Sequence, residues 1–291
     1  MADATILAAP SYVPRTSGLW IAPPLIVLAA LFFYPLCLIA REALGGAGHA
    51  LSLAHFAEVL GSRLFREALY HTIVIALCAT AGCLVLGFVF SVLIAFTPFP
   101  GSRLLARLID TFIALPTFLV ALSFTFIYGS AGMLNESLME LMHLPNAPVD
   151  FLYSQWGVIL SEITVYTPFV MRPLLAAFSL IDTAQIEVAS SLGARSMRIV
   201  QRIILPAALP ALIAGGSLCL LLTVNEFGIV LFIGAKDVIT LPLLIYDTAI
   251  QQFDYTTACV IAVVNVALSL GLYSLYRFAI AYFGSRRAGL V

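Results

Sequence analysis

Six apolar stretches, each long enough to cross the hydrocarbon core of a bilayer, constrain this sequence more than any other feature. A helix rises about 1.5 Å per residue, so roughly 20 apolar residues cross a core about 30 Å thick. Backbone polar groups find no water in lipid, so runs of this length predict helices and not the short alternating strands of a barrel. We therefore expect an all-α, polytopic membrane protein with six transmembrane helices. The predicted spans are Leu19–Ala40, Thr72–Phe96, Ile109–Tyr128, Trp156–Ala177, Ala207–Ile233 and Thr257–Phe283.

The composition agrees with a membrane protein and excludes a nucleic-acid-binding protein. Hydrophobic residues make up 62% of the chain and charged residues only 10%, whereas soluble domains carry about 25% charged residues. The net charge is −1, so the clustered basic residues that neutralise nucleic acid phosphates are missing. We expect the lipid bilayer to surround the chain and no nucleic acid to bind it.

The motifs of enzymes and metal proteins are absent from the sequence. It has no G-x-x-x-x-G-K-[ST] phosphate loop, no H-E-x-x-H motif and no G-x-S-x-G motif. The five cysteines lie in apolar runs, without a C-x-x-C pair or a histidine at metal-ligand spacing, which is typical of packing residues. We predict that the chain is not an enzyme and has no cofactor or metal site. Any nucleotide energy must then come from a partner.

The distribution of basic residues predicts the orientation in the membrane. With the N-terminus in the cytoplasm, ten of the fourteen Lys and Arg residues lie on or near the inner side and four lie outside. The connection Gly129–Gln155 has three acidic residues and no Lys or Arg, which suits an external loop. Both termini are then cytoplasmic. We interpret the first span as an uncleaved helix, because its apolar run is too long for a signal peptide.

The cytoplasmic connection Asp182–Pro206 differs in composition from the spans on either side of it. Asp182 and Gln185 form an acceptable capping box, and Gly193 fits the left-handed residue that ends a short helix. A second helix follows and is expected to break at Pro206, before the fifth span. Three basic residues recur on one of its faces: Arg195, Arg198 and Arg202. From the residues alone, the segment is either a docking element or an interfacial connector whose arginines reach lipid headgroups.

Six positions of this segment match the E-A-A-x3-G-x9-I-x-L-P motif of permease subunits of bacterial binding-protein-dependent ABC importers. Val188 replaces the first alanine of the motif. The chain resembles that family from about residue 71 to residue 277, and the resemblance implies the type I ABC importer permease fold (MetI-like). It also implies that the matching residues couple a cytoplasmic ATPase to the helices. These residues are Glu187, Ala189, Gly193, Ile203, Leu205 and Pro206.

The resemblance implies a location and a set of partners. We expect the chain in a bacterial inner membrane, with a cytoplasmic ABC ATPase, a periplasmic substrate-binding protein and a second permease subunit, either a related chain or a second copy. Residues 1–70 would hold the N-terminal tail, the first helix and an external loop. Residues 71–277 would form the importer transmembrane domain, with its coupling segment at 182–206. Residues 278–291 would end the last helix and form a tail.

Several continuous stretches are similar to permeases of 2-aminoethylphosphonate importers, which makes this compound the expected substrate. The Glu-Phe-Gly at 226–228 is also similar to sulfate and iron(III) importer permeases, so those substrates stay open as alternatives. A self-sufficient secondary transporter is a further alternative, although no inverted half-repeats are present. The stretches are 99–102, 107–118, 126–132, 149–153 and 225–236.

Three ionisable residues lie inside predicted spans, Glu162, Arg172 and Glu226, and Asn225 adjoins the last of them. Charged residues at membrane depth cost about 2.5–3.5 kcal/mol each and usually face the bundle interior or a water-filled path. Because 2-aminoethylphosphonate carries an ammonium and a phosphonate, we expect Glu226 or Glu162 to meet the cation and Arg172 the anion. The alternative makes Arg172 a topology anchor and Glu226 a partner in hydrogen bonds between helices.

Overall fold

The computed structural model describes residues 17–45, 53–97 and 100–288, which fold into helices joined by short connections. The tails before residue 17 and after residue 288, both expected in the cytoplasm, lie outside the described residues. The helices are α1 (Ser17–Gly45), α2 (Ala54–Gly61), α3 (Arg63–Phe96), α4 (Ser102–Ile113), α5 (Thr117–Tyr128), α6 (Met133–Met142), α7 (Gln155–Phe178), α8 (Thr183–Ser191), α9 (Ser196–Ile199), α10 (Leu205–Val224), α11 (Gly228–Ile233), α12 (Leu241–Tyr246) and α13 (Tyr255–Ala288).

Six segments are long and apolar enough to cross a membrane, which confirms the expected all-α class and the number of spans. The first of them is the least buried, since α1 contacts the chain mainly through α13 and exposes its apolar side chains elsewhere. In lipid such a surface is at no disadvantage, because the surrounding tails are as apolar as the side chains. The segments are Trp20–Gly45, Arg63–Phe96, Thr117–Met142, Gln155–Phe178, Ser196–Val224 and Tyr255–Ile280.

Helix α7 forms the centre of the bundle and packs between α3 and α10. Small residues allow this close approach. A Cβ atom added at Gly87 of α3 would lie 2.9 Å from the Val170 side chain, and one added at Gly215 of α10 would lie 3.1 Å from the Val170 Cα atom. Packing of small residues against a neighbouring helix is a main source of stability in membrane bundles, where apolar burial contributes little.

The third predicted span, Ile109–Tyr128, is not one helix. Its first residues belong to α4, which ends at Ile113, and α5 begins only at Thr117. Pro116 precedes α5, and it lacks the N–H that a continuous helix would need at that position.

The fifth predicted span, Ala207–Ile233, is also interrupted. Helix α10 ends at Val224, and α11 begins at Gly228. A side chain within the interruption, that of Glu226, accepts the backbone N–H of Ile229 at 2.8 Å. Side-chain acceptors of this kind compete with the helical carbonyl for the backbone donor and favour a helix start.

The predicted break at Pro206 is wrong. The chain stays helical from Ser196 to Val224, passing through a π-helical turn at Val200–Ile204. In this wider turn the N–H of Leu205 bonds to the carbonyl of Val200, five residues back. Pro206 lies just after this turn at the start of α10, and the change of hydrogen-bond spacing at the π turn accommodates its missing N–H.

We expect Gly157→Ala to lower the melting temperature of the purified protein. An added Cβ would lie 2.0 Å from the backbone carbonyl oxygen of Leu152, and a backbone atom cannot move aside as a flexible side chain can. Overpacking of this kind costs about 1–3 kcal/mol. Thermal unfolding in detergent is the measurement.

Gly271→Ala is the matched control for this variant. It lies within α13 with nothing within 4 Å of the added atom, so the better helix propensity of alanine should leave its melting temperature equal or slightly raised. Equal melting of the two variants would contradict the close contact at Gly157.

Candidate functional site

The Asp182–Pro206 segment folds as a short helix, a tight turn and a second helix. The Asp182 carboxylate accepts the backbone N–H of Ala184 at 2.9 Å and caps α8. Gly193 has a φ of 79°, which confirms the predicted left-handed turn. An added side chain at Gly193 would meet no neighbour, so the backbone angle alone requires glycine here.

The residues that match the permease motif divide into two groups in space. Ala189 and Ile203 are half-buried and pack against the main apolar core, which anchors the segment to the bundle. Glu187 and Gly193 are exposed and do not belong to this attached group. The segment therefore has one attached face and one face open to a partner.

Three exposed apolar residues lie beside this turn and were missed by the sequence reasoning. Leu192 is 82% exposed, Met197 67% and Val188 58%. Exposed apolar side chains beside an exposed turn are typical of an interaction surface. The sequence signal was their position close to Gly193 in the chain.

Glu226 connects three helices from inside the bundle. It is 6% exposed, and its Oε1 atom accepts the N–H of Ile229 in α11 at 2.8 Å and the hydroxyl of Thr117 in α5 at 3.2 Å. Its Oε2 atom accepts the hydroxyl of Tyr166 in α7. The helices that follow the two interruptions, α5 and α11, thus donate hydrogen bonds to the same carboxylate. This arrangement agrees with the alternative in which Glu226 joins helices.

Thr117 and Tyr166 are functional neighbours that sequence reasoning missed. A threonine directly after a proline and a tyrosine within an apolar helix are common, so neither position indicates a partner by itself. Their hydroxyl groups acquire a role only because α5, α7 and α11 bring them to one carboxylate.

Glu162 is buried near this cluster, on the same face of α7 as Tyr166 and one turn away. Its side chain is 1% exposed, and its Oε2 atom has no hydrogen-bond partner among the described residues. An unpaired carboxyl oxygen in an apolar interior is costly, by about 1–3 kcal/mol or more. The Glu162 carboxyl group can therefore accept a further hydrogen bond from a donor.

Asn225 faces away from Glu226, towards α13. Its side-chain nitrogen donates to the carbonyl of Leu221 at 2.8 Å and to the Ser269 hydroxyl at 3.3 Å, and its oxygen accepts from Asn265 at 3.0 Å. The residue is nevertheless exposed. An exposed amide at membrane depth favours a watery or protein neighbour over lipid.

Arg172 lies about 15 Å further along α7 than Glu162, since ten residues separate them. Its Nε atom is 3.3 Å from the Asp110 carboxylate on α4. The structure therefore does not assemble the four predicted path residues into one site. It brings Glu162 and Glu226 close together, and it places Asn225 and Arg172 at two other positions.

Removing the acceptors of Glu226 should destabilise the protein in graded steps. Glu226→Leu leaves two hydroxyl donors and one N–H donor unpaired, each costing about 1–3 kcal/mol, and should lower the melting temperature strongly. Glu226→Gln keeps the Oε1 acceptor and can donate to the Tyr166 oxygen, so its melting temperature should fall much less. Thermal unfolding in detergent measures both, and an unaffected Glu226→Leu variant would disprove the joining role.

The family model described as "Binding-protein-dependent transport system inner membrane component" matches residues 84–287. The chain is similar to PhnU of Salmonella typhimurium strain LT2, which is named as a 2-aminoethylphosphonate transport system permease protein. The two sequences are 60% identical over 268 residues, and the match covers 92% of this chain and 94% of PhnU. It is 31% identical over 218 residues to a sulfate transport system permease protein, cysT, of Prototheca wickerhamii, covering 74% and 83% of the two chains.

A solved structure agrees with the fold. A chain of the bacterial alginate ABC transporter, determined with its alginate-bound periplasmic protein, superposes with a TM-score of 0.76 at 19% identity and covers 90% of this chain and 93% of that one. The chain is thus a multi-pass inner membrane protein with the ABC importer permease fold. It belongs to the family of inner membrane components of binding-protein-dependent transport systems.

Proposed function

We propose that this chain is the permease subunit of an ABC importer that moves 2-aminoethylphosphonate across the inner membrane. The observation that carries the substrate assignment is the 60% identity to PhnU, because it extends over 92% of the chain and is not confined to the coupling segment. Similarity to the sulfate permease is about half as high and covers less of the chain. Sulfate is therefore the second candidate, ahead of iron(III).

Three partners follow from this proposal. A separate ABC ATPase supplies the energy, since the sequence has no phosphate loop, and a periplasmic binding protein delivers the substrate. A second permease, either a related chain or another copy of this one, completes the path.

The ATPase docks on the Asp182–Pro206 segment, which places this segment and both termini in the cytoplasm. The exposed Glu187 carboxylate, the Gly193 turn and the apolar Leu192 form the contact surface. Ala189 and Ile203 transmit movement to the bundle, because they pack against its core. Leu205 and Pro206 continue directly into α10, so displacement of the segment also moves a central helix.

The path contacts for substrate are divided between the two ends of α7. Arg172 is exposed and takes the phosphonate. For the ammonium we favour Glu162 over Glu226, because the Glu226 oxygens already accept three hydrogen bonds, whereas one Glu162 oxygen has no partner in the described part of the chain. Glu162 is reached when α7 and its neighbours separate during transport, and Asn225 lines the same route.

Uptake of labelled 2-aminoethylphosphonate tests the substrate. A strain without other phosphonate importers, supplied with this chain, its ATPase and its binding protein, should accumulate the label. Omission of this chain alone should abolish accumulation, and a tenfold excess of unlabelled sulfate or iron(III) should leave it unchanged. Loss of sulfate or iron uptake on deletion, with phosphonate uptake intact, would show that the substrate assignment is wrong.

Gly193→Val should uncouple the ATPase from the permease. A β-branched residue in the left-handed region costs roughly 1 kcal/mol or more, which distorts the turn between α8 and α9. Membrane insertion should be normal, while ATPase co-purification or hydrolysis stimulated by the binding protein is lost. Gly193→Asn is the control, because asparagine tolerates this conformation and should retain most of the activity. Full stimulation in the valine variant would make the segment a mere connector.

A further inference from the structure

Arg172 has an acidic partner that the sequence analysis did not consider. Its Nε atom lies 3.3 Å from the Oδ1 atom of Asp110, and the pair links α7 to the amphipathic helix α4. The two residues are far apart in sequence, so only the packing of α4 against α7 brings them together.

Arg172 also lines a cavity of about 460 Å³ between α7, α10 and the end of α4. The walls are small or apolar, as at Ala176, Ala214 and Gly215. Among the described residues that line it, Arg172 is the only charged one. The guanidinium supplies a positive charge for an anion, and the cavity is large enough for a small phosphonate.

An anion can replace the Asp110 carboxylate at Arg172, because the pair is exposed. Both side chains are more than half exposed, at 65% and 56%. Exposed ion pairs contribute little to stability, so a dianion can displace the carboxylate at little cost. Without the carboxylate, Arg172 would bind an anion more tightly, whereas transport requires binding weak enough for release.

We propose that Asp110 is a specificity-determining residue that neutralises Arg172 in the empty path and gives way to the phosphonate group. The inference rests on the proposed function for the identity of the substrate. An anion that binds Arg172 competes with the carboxylate for the guanidinium, so weakly binding anions are rejected and the transported one is released again. Asp110 thereby sets the affinity of this cavity for small dianions.

The experiment measures how cytoplasmic sulfate inhibits phosphonate uptake. Proteoliposomes contain the complete transporter, with ATP and increasing sulfate in the lumen and binding protein with labelled 2-aminoethylphosphonate outside. In Asp110→Asn, the sulfate concentration for half-inhibition should fall about fivefold, because the competing carboxylate is gone. Asp110→Glu should restore the wild-type value, since it restores the charge.

Two further variants test the cause. Asp110→Asn combined with Arg172→Gln should lose the increased sensitivity, because the anion site itself is removed. Asp247→Asn is the control, because it removes one acidic charge elsewhere in the chain. Asp247 lies in the π-helical turn Asp247–Gln251 before α13 and accepts a hydrogen bond from Gln252, and this variant should match the wild type. Unchanged inhibition in Asp110→Asn, or increased sensitivity that persists without Arg172, would overturn the inference.

Direct binding separates this inference from the proposed function. Labelled sulfate binding to the purified transporter needs no uptake, and Asp110→Asn should bind it about fivefold more tightly than the wild type. Absence of phosphonate uptake by the wild type would refute the proposed substrate, whereas an Asp110→Asn binding ratio of one would refute the role of Asp110. Failure of both Asp110→Asn and Asp110→Glu to assemble would show that the pair is only a structural tie.

Discussion

Backbone hydrogen bonding in a medium without water is the constraint on which the rest of this structure depends. Each N–H and C=O group at membrane depth must find a partner within the protein, and an uninterrupted helix provides nearly all of them. Interruptions are tolerated only where other groups replace the lost bonds. Two interruptions among the described helices share one solution, because the Glu226 carboxylate accepts the Ile229 N–H of α11 and the Thr117 hydroxyl at the start of α5.

Burying a carboxylate costs free energy, so the structure depends on the hydrogen-bond donors that offset this cost. Removal of a charge from water costs several kcal/mol, and good hydrogen-bond geometry is needed to offset it. Glu226 has three donors from three helices, and they hold the broken segments α5 and α11 against α7. One oxygen of the neighbouring Glu162 has no hydrogen-bond partner among the residues that the structure describes. Two carboxyl groups in one cluster thus have different environments, which is why we assign them different roles.

Helix α7 connects these features mechanically. Its Tyr166 binds the Glu226 carboxylate, its Val170 packs between glycines of α3 and α10, and its Arg172 faces the cavity near α4. It ends at Phe178, shortly before α8 begins at Thr183. A force applied to the coupling segment by an ATPase would therefore act on the helix that carries Glu162 and Tyr166, and the weak Arg172–Asp110 pair would be among the first contacts to yield.

The sequence by itself determined the fold class, the number of spans, the left-handed turn at Gly193 and the family. These depend on local properties: apolar length, backbone freedom and residue spacing within twenty positions of the chain. The tertiary structure alone decided where helices break and which polar groups meet. The helix continues through a π turn and past Pro206 without a break, Glu226 joins several helices, and Asp110 pairs with Arg172 on another helix. Such contacts join residues distant in sequence, so no local pattern contains them, and they arise only when packing brings the helices side by side.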